Sequence, residues 1–240
     1  MIAEPSATPS PLSLHERRVL GVLVEKAKTT PDIYPLSLNA LITGCNQKSN
    51  REPVLELTDL DAEAALESAQ QKGFAIKITG GRVERWRHHL YEAWKVDKVE
   101  LAVLGELLLR GPQTEGELRG RASRMEPIAD VDALRPVLRS LAERGLIVYL
   151  TPEGRRGTTV THGFHSAQEL QRLRLAAGTE AHVPSEPTMA TPAVASPQKL
   201  EASSEVRTEF EMLRAALAEV QKRVGELESQ LQSLKQALGE

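Results

Sequence analysis

Arginines gather in this 240-residue chain on one amphipathic stretch and in two turn-like segments, and phosphate binding is the chemistry a guanidinium offers in such places. Arg135 and Arg139 stand one helical turn apart, and Arg155 and Arg156 follow between Gly154 and Gly157. These four are the leading candidates for contact with double-stranded DNA. Arg82, Arg85 and Arg87, with Lys77, His88 and His89, make an earlier segment basic as well. The competing reading of Arg135 and Arg139 is a solvated helix face paired to Asp132 and Glu143. A second group, Asn46, Gln47, Lys48, Asn50 and Arg51, falls within one loop. It reads either as a partner-binding signature or as a loop that ties itself down by side-chain-to-backbone hydrogen bonds.

Other chemistries have less to stand on. Cys45 ends an apolar stretch with no histidine beside it, which suits a small buried hydrophobe better than a nucleophile. His162 with His165, and His88 with His89, lack a third metal ligand at a recognisable spacing. A single cysteine excludes an internal disulfide and a cysteine-built zinc site, and no phosphate-binding glycine loop is present. The expectation is a protein with no catalytic residue, no metal and no cofactor.

The elements that must position the arginines are legible from spacing. Thr58 with Asp61 forms a capping box, and Ala62, Leu66 and Ala69 then fall on one helical face that stops at Gly73. Strand-compatible residues at Phe74 to Thr79 and Arg82 to Leu90 flank Gly80-Gly81, a pair suited to a tight hairpin turn. Helix, glycine and hairpin make the second half of a winged helix. The unit recurs: Gln71-Lys72-Gly73-Phe74-Ala75-Ile76 aligns with Glu143-Arg144-Gly145-Leu146-Ile147-Val148, and Val19-Leu20-Gly21 with Val103-Leu104-Gly105. Ser13 with Glu16 and Thr114 with Glu117 are further capping boxes, Ser37 caps a short helix through Cys45, and a helix over Asp97 to Arg110 opens the second copy. From Asp132, Leu134, Val137, Leu138 and Leu141 form the buried face of its third helix, with Pro136 near the first turn.

The expected fold is therefore mainly α with small β-hairpins, an α+β chain of tandem winged-helix domains followed by a disordered linker and a C-terminal coiled coil. The expected boundaries are a disordered tail at 1–12, winged-helix domain 1 at 13–96, domain 2 with a following helix at 97–178, a Pro/Ala-rich linker at 179–202 and a coiled-coil helix at 203–240. Val206, Phe210, Leu213, Leu217, Val220, Val224, Leu227, Leu231, Leu234 and Leu238 alternate by four and three, a heptad seam. In a parallel pair Glu209 faces Arg214 and Arg223 faces Glu228, so a homo-oligomer is expected, either dimer or trimer.

Composition limits the rest. A net charge of −3 supplies no bulk attraction to nucleic acid or to an anionic membrane, so binding must come from local patches. With 3% aromatic residues there is little to stack on bases. The opening residues lack the pattern of an export signal and no stretch is long enough to span a bilayer, so the expectation is a soluble, cytoplasmic protein with no membrane partner.

Tyr34-Pro35-Leu36-Ser37-Leu38-Asn39, Cys45-Asn46-Gln47-Lys48-Ser49-Asn50-Arg51-Glu52-Pro53-Val54, and Leu108-Leu109-Arg110-Gly111-Pro112-Gln113-Thr114 with Gly116-Glu117-Leu118-Arg119 resemble the YceH family of bacterial proteins, over about Leu12 to Ser166. The resemblance implies a tandem winged-helix fold and carries no catalytic residue or defined ligand. Two functions follow as expectations. One is a DNA-binding protein, for instance a transcriptional regulator, paired by its coiled coil. The other is a non-enzymatic adaptor that holds another protein on its winged-helix faces, favoured by the acidic third helix of the first copy with Asp59, Asp61, Glu63 and Glu67.

Overall fold

The computed structural model describes residues 9–180 apart from Arg156. The expected tail up to residue 8, the linker beyond residue 180 and the heptad segment at 203–240 lie outside the described residues. What is described is an α+β structure in which one order of elements occurs twice. The first copy runs α1 (Leu14–Thr29), a 3-10 turn (Pro31–Ile33), β1 (Leu36–Ser37), α2 (Leu38–Cys45), α3 (Asp59–Gln71), β2 (Ala75–Ile78) and β3 (Arg85–His88). A short α4 (Leu90–Trp94) leads into the second copy: α5 (Lys98–Arg110), β4 (Gln113–Thr114), α6 (Glu115–Ala122), α7 (Val131–Glu143), β5 (Ile147–Tyr149) and β6 (Thr159–His162), followed by α8 (Ala167–Glu180).

Local chemistry explains why the copies match. Reciprocal capping boxes start α1 at Ser13, α3 at Thr58, α5 at Asp97 and α6 at Thr114. Both third helices end in the same way. Gly73 adopts φ 76° and Gly145 φ 70°, and the next residue's amide reaches back, Phe74 N–H to the Ala69 carbonyl at 2.8 Å and Leu146 N–H to that of Leu141 at 2.9 Å. This is the Schellman closure, and it needs a residue that enters the left-handed region without penalty. Each hairpin then gains a third strand, in the antiparallel orders β1-β3-β2 and β4-β6-β5.

Several expectations change. β1 and β4 are two residues long, below what alternation can reveal. The first hairpin turn is not a two-residue turn at Gly80-Gly81: the strands stop at Ile78 and restart at Arg85, and only Gly80 of the pair has positive φ, 94°. Leu90 leaves the strand and starts α4, burying itself and Trp94 on one face. α7 begins at Val131 on an Asp130 cap, so Pro136 lies in its second turn. Leu12, expected in the tail, is buried, and its amide donates to the Phe164 carbonyl at 3.0 Å.

The copies share one hydrophobic core, in which α1 packs on α5. Gly21 and Gly105, aligned by the repeat, both lie at this crossing. A Cβ on Gly21 would stand 2.8 Å from Leu109 Cγ, and one on Gly105 2.7 Å from Val24 Cγ1. Trp94 stacks on Phe164 with ring centroids 4.6 Å apart, and Lys28 pairs with Glu126 at 2.6 Å. Among the described residues no helix is long and apolar enough to cross a membrane.

Candidate nucleic-acid interface

β3 sets the geometry of the first basic surface. Alternation along the strand turns Trp86 inward, 4% exposed, and leaves Arg85 and Arg87 outside. Arg85 donates from Nη1 to the Pro35 carbonyl at 2.7 Å, which fixes the guanidinium against the start of β1. Arg82, in the turn, and Arg87 are exposed and form no ion pair among the described residues. Lys77 is not equally available, because it pairs with Glu84 at 2.6 Å and lies over the Trp86 ring. His88 packs near Tyr34 and Tyr91, and burial lowers its pKa to about 4, so it is neutral and adds no charge. His89 faces Glu92 at 3.2 Å. The basic surface of the first hairpin thus reduces to Arg82, Arg85 and Arg87.

The second copy's arginines are engaged with carboxylates. Arg135 contacts Glu115 at 3.2 Å and Asp132 at 2.7 Å, and Arg139 contacts Glu153 in the hairpin turn at 2.7 Å rather than Glu143. These pairs differ in how readily they open. Arg139 and Glu153 are 58% and 39% exposed, and such a pair contributes about 0–1 kcal/mol, so a phosphate can displace the carboxylate. The Glu115 side chain is only 5% exposed, so removing its partner would leave a buried carboxylate without its counter-charge. Arg135 is therefore held in place. Arg155 is exposed in the turn, and Arg156 lies outside the described residues.

The loop after α2 is built as a clamp. The Asn46 side chain donates from Nδ2 to the Leu57 carbonyl at 2.9 Å and accepts the Leu57 amide at 2.8 Å, closing the two ends of the loop. The Arg51 side chain is 0% exposed and donates to the Gly44 carbonyl at 3.0 Å, to Gln47 Oε1 at 3.1 Å and to Glu25 of α1 at 2.5 Å. Asn50, with φ 62°, accepts from Arg110 of α5, and Glu52 N–H donates to the Leu109 carbonyl at 2.9 Å. Of the five signature residues, only Lys48 is exposed.

Residues that sequence reasoning missed complete the clamp. Arg18, 1% exposed, donates to the carbonyls of Cys45 at 2.9 Å and Pro53 at 2.5 Å. Arg18 stands directly before the apolar run from Val19 to Val24 of α1, and an arginine buried there must find buried acceptors. Cys45 is buried, and burial pushes its thiol up to about 12. His162 and His165 stack at 3.9 Å. Arg17 reaches His165 Nδ1 at 2.8 Å, and burial with that guanidinium nearby lowers the His165 pKa to about 4.

Comparison with known proteins places this geometry in a family. Residues 12–156 match the family model described as "Protein of unknown function, DUF480". A UPF0502 protein of Rhodopirellula baltica is 55% identical over 68% of this chain and 69% of its own length. One from Geotalea uraniireducens is 48% identical over 69% of this chain and 78% of its own. Against that of Geobacter sulfurreducens the identity is 55%, and the match spans less than two thirds of that relative, 59%. The matched region contains both helical repeats, the clamp loop and the first hairpin, and the chain belongs to this DUF480 family of uncharacterised, YceH-like proteins.

Proposed function

We propose that this chain is a non-enzymatic tandem winged-helix protein that binds double-stranded DNA, a role compatible with transcriptional regulation, and that pairs through its C-terminal heptads. The winged-helix reading is supported by the order helix, strand, helix, helix, strand, strand in each copy. The observation that carries the DNA reading is the first hairpin, where Arg82 and Arg87 stand exposed beside Arg85 with no carboxylate partner among the described residues. Such side chains can neutralise phosphates and release counterions, a sequence-independent attraction. Arg139 and Arg155 add secondary contacts. Two weak modules joined in one oligomer gain by avidity what each lacks.

Binding of the full-length protein to a labelled generic duplex over a salt series tests this reading. Affinity should fall steeply with salt, and the slope should shrink by roughly one per lost phosphate contact in R82A/R87A. R139A/R155A should shrink it less. Absence of binding at low salt would remove the DNA reading. The engagement of Arg135 and Arg139 with carboxylates favours the second reading, a protein-interaction adaptor that does not bind DNA.

A further inference from the structure

The third helix of the first copy is shaped for a different partner. Leu60 is 77% exposed, the most exposed large hydrophobic side chain among the described residues, and Ala64 continues its ridge one turn on. Beside the ridge runs a groove of about 350 Å³ between α3 and the start of α1, lined by Ser13, His15, Leu60, Asp61, Ala64 and Ser68. Its polar floor is already satisfied. Glu16 accepts from Lys72 at 2.6 Å and from Ser68 at 2.9 Å, and Asp61 is used in capping α3 at Thr58. A ligand here gains from apolar contact, not from unpaired polar groups.

The rim determines the sign of what binds. Glu56, Asp59, Glu63 and Glu67 are exposed and form no ion pair among the described residues. Nearby cations are committed elsewhere: Lys72 to Glu16 at 2.6 Å, Lys77 to Glu84 at 2.6 Å, and His15 lies 4.0 Å from Asp61. An apolar ridge inside a rim of four carboxylates that form no ion pair among the described residues, with Lys77 alone acting on Glu63 and Glu67 from a distance, repels a phosphate backbone and complements a cationic helix.

We propose that the outer face of α3, with the groove it shares with α1, docks a basic amphipathic helix of another protein. An apolar side chain of that helix seats against Leu60 and Ala64, and its lysines or arginines face Glu56, Asp59, Glu63 and Glu67. This surface is separate from the first hairpin and does not depend on the DNA reading.

The test uses full-length protein and a fluorescein-labelled synthetic helical peptide with leucines at i, i+3, i+4 and i+7 and lysines elsewhere, followed by anisotropy. Saturable binding is expected, weakened roughly tenfold, or about 1.4 kcal/mol, by Leu60→Ser, since the ridge loses its apolar side chain. Glu63→Lys with Glu67→Lys should weaken it further, and R82A/R87A should leave it unchanged. Both α3 sites are exposed, so circular dichroism should show the variants folded. No saturable binding, or equal binding by wild type and both α3 variants, overturns the proposal. A change in the sedimentation of the protein alone on Leu60→Ser would make the face a contact between copies. Weakened duplex binding in that variant would assign it to DNA. Either outcome overturns the proposal as well.

Discussion

Arg51 is an arginine of the kind that binds phosphate in many proteins, yet every direction its fork can point is filled by this chain. Replacing it with Met removes the donors to Gly44, Gln47 and Glu25 and leaves Glu25, 13% exposed, beside orphaned carbonyls. The expected cost is about 3–5 kcal/mol, read as a fall in the thermal midpoint, whereas Lys48→Ala in the same loop should be nearly silent. Histidines make the second prediction at this scale. His88 and His165 have folded-state pKa values lowered to about 4, and burial lowers that of His162 as well. Below about pH 6.5 the unfolded chain binds protons that the folded chain refuses, so stability is full above that pH and is lost as pH falls toward 4. The loss should be on the order of 2 kcal/mol for each of His88 and His165 by pH 5. Glu106 opposes this, because burial raises its carboxyl and the folded state then gains a proton as pH falls. Urea midpoints at pH 7.5, 6 and 5 measure the net, and a midpoint that rises toward pH 5 would contradict the assignment. None of these burial states was readable from residue type: Arg51 and Arg87 look alike in sequence, and only the fold puts carbonyls around one and solvent around the other.

At the scale of elements, the glycines separate what spacing reveals from what contact decides. Gly73 and Gly145 were legible as helix stops because a Schellman turn is local. Gly21 and Gly105 were visible as a repeated feature, but their reason is the partner helix that each admits. Gly21→Ala or Gly105→Ala should cost about 1–3 kcal/mol, since the new methyl meets Leu109 or Val24 under 3 Å away across a packed crossing. Gly116→Ala in α6, with nothing within 4 Å of the added carbon, should be neutral or stabilising by about 0.5–1 kcal/mol. Thermal melts of the three variants check the contrast. The hairpins were legible from the strand residues themselves. β1 and β4 were not, because a two-residue strand forms only when a third edge arrives from elsewhere in the chain.

For the whole molecule, the described halves are joined by the α1 and α5 crossing, by the Trp94 and Phe164 stack and by a loop of the first copy held to Arg110 and Leu109 of the second. The proposed pairing through the heptads belongs to this scale too. Leu217→Lys with Val224→Lys places charge in the seam, and light scattering should then return the mass of one chain, with duplex affinity reduced through lost avidity. An unchanged mass would remove the seam as the oligomerising element. The sequence by itself determined the duplication, the family, the capped starts of α1, α3 and α6 and the glycine stop of α3, because capping, glycine conformation and periodicity act within a few residues. Only the tertiary structure decided which charges reach outward. It buried Arg18 and Arg51 as struts, committed Arg135 and Arg139 to Glu115 and Glu153, and left Arg82, Arg87 and the apolar ridge at Leu60 with its acidic rim exposed. Ion pairs such as Arg139 with Glu153, and clamps such as Arg18 on Pro53, join residues far apart in the chain, and no local pattern records that distance.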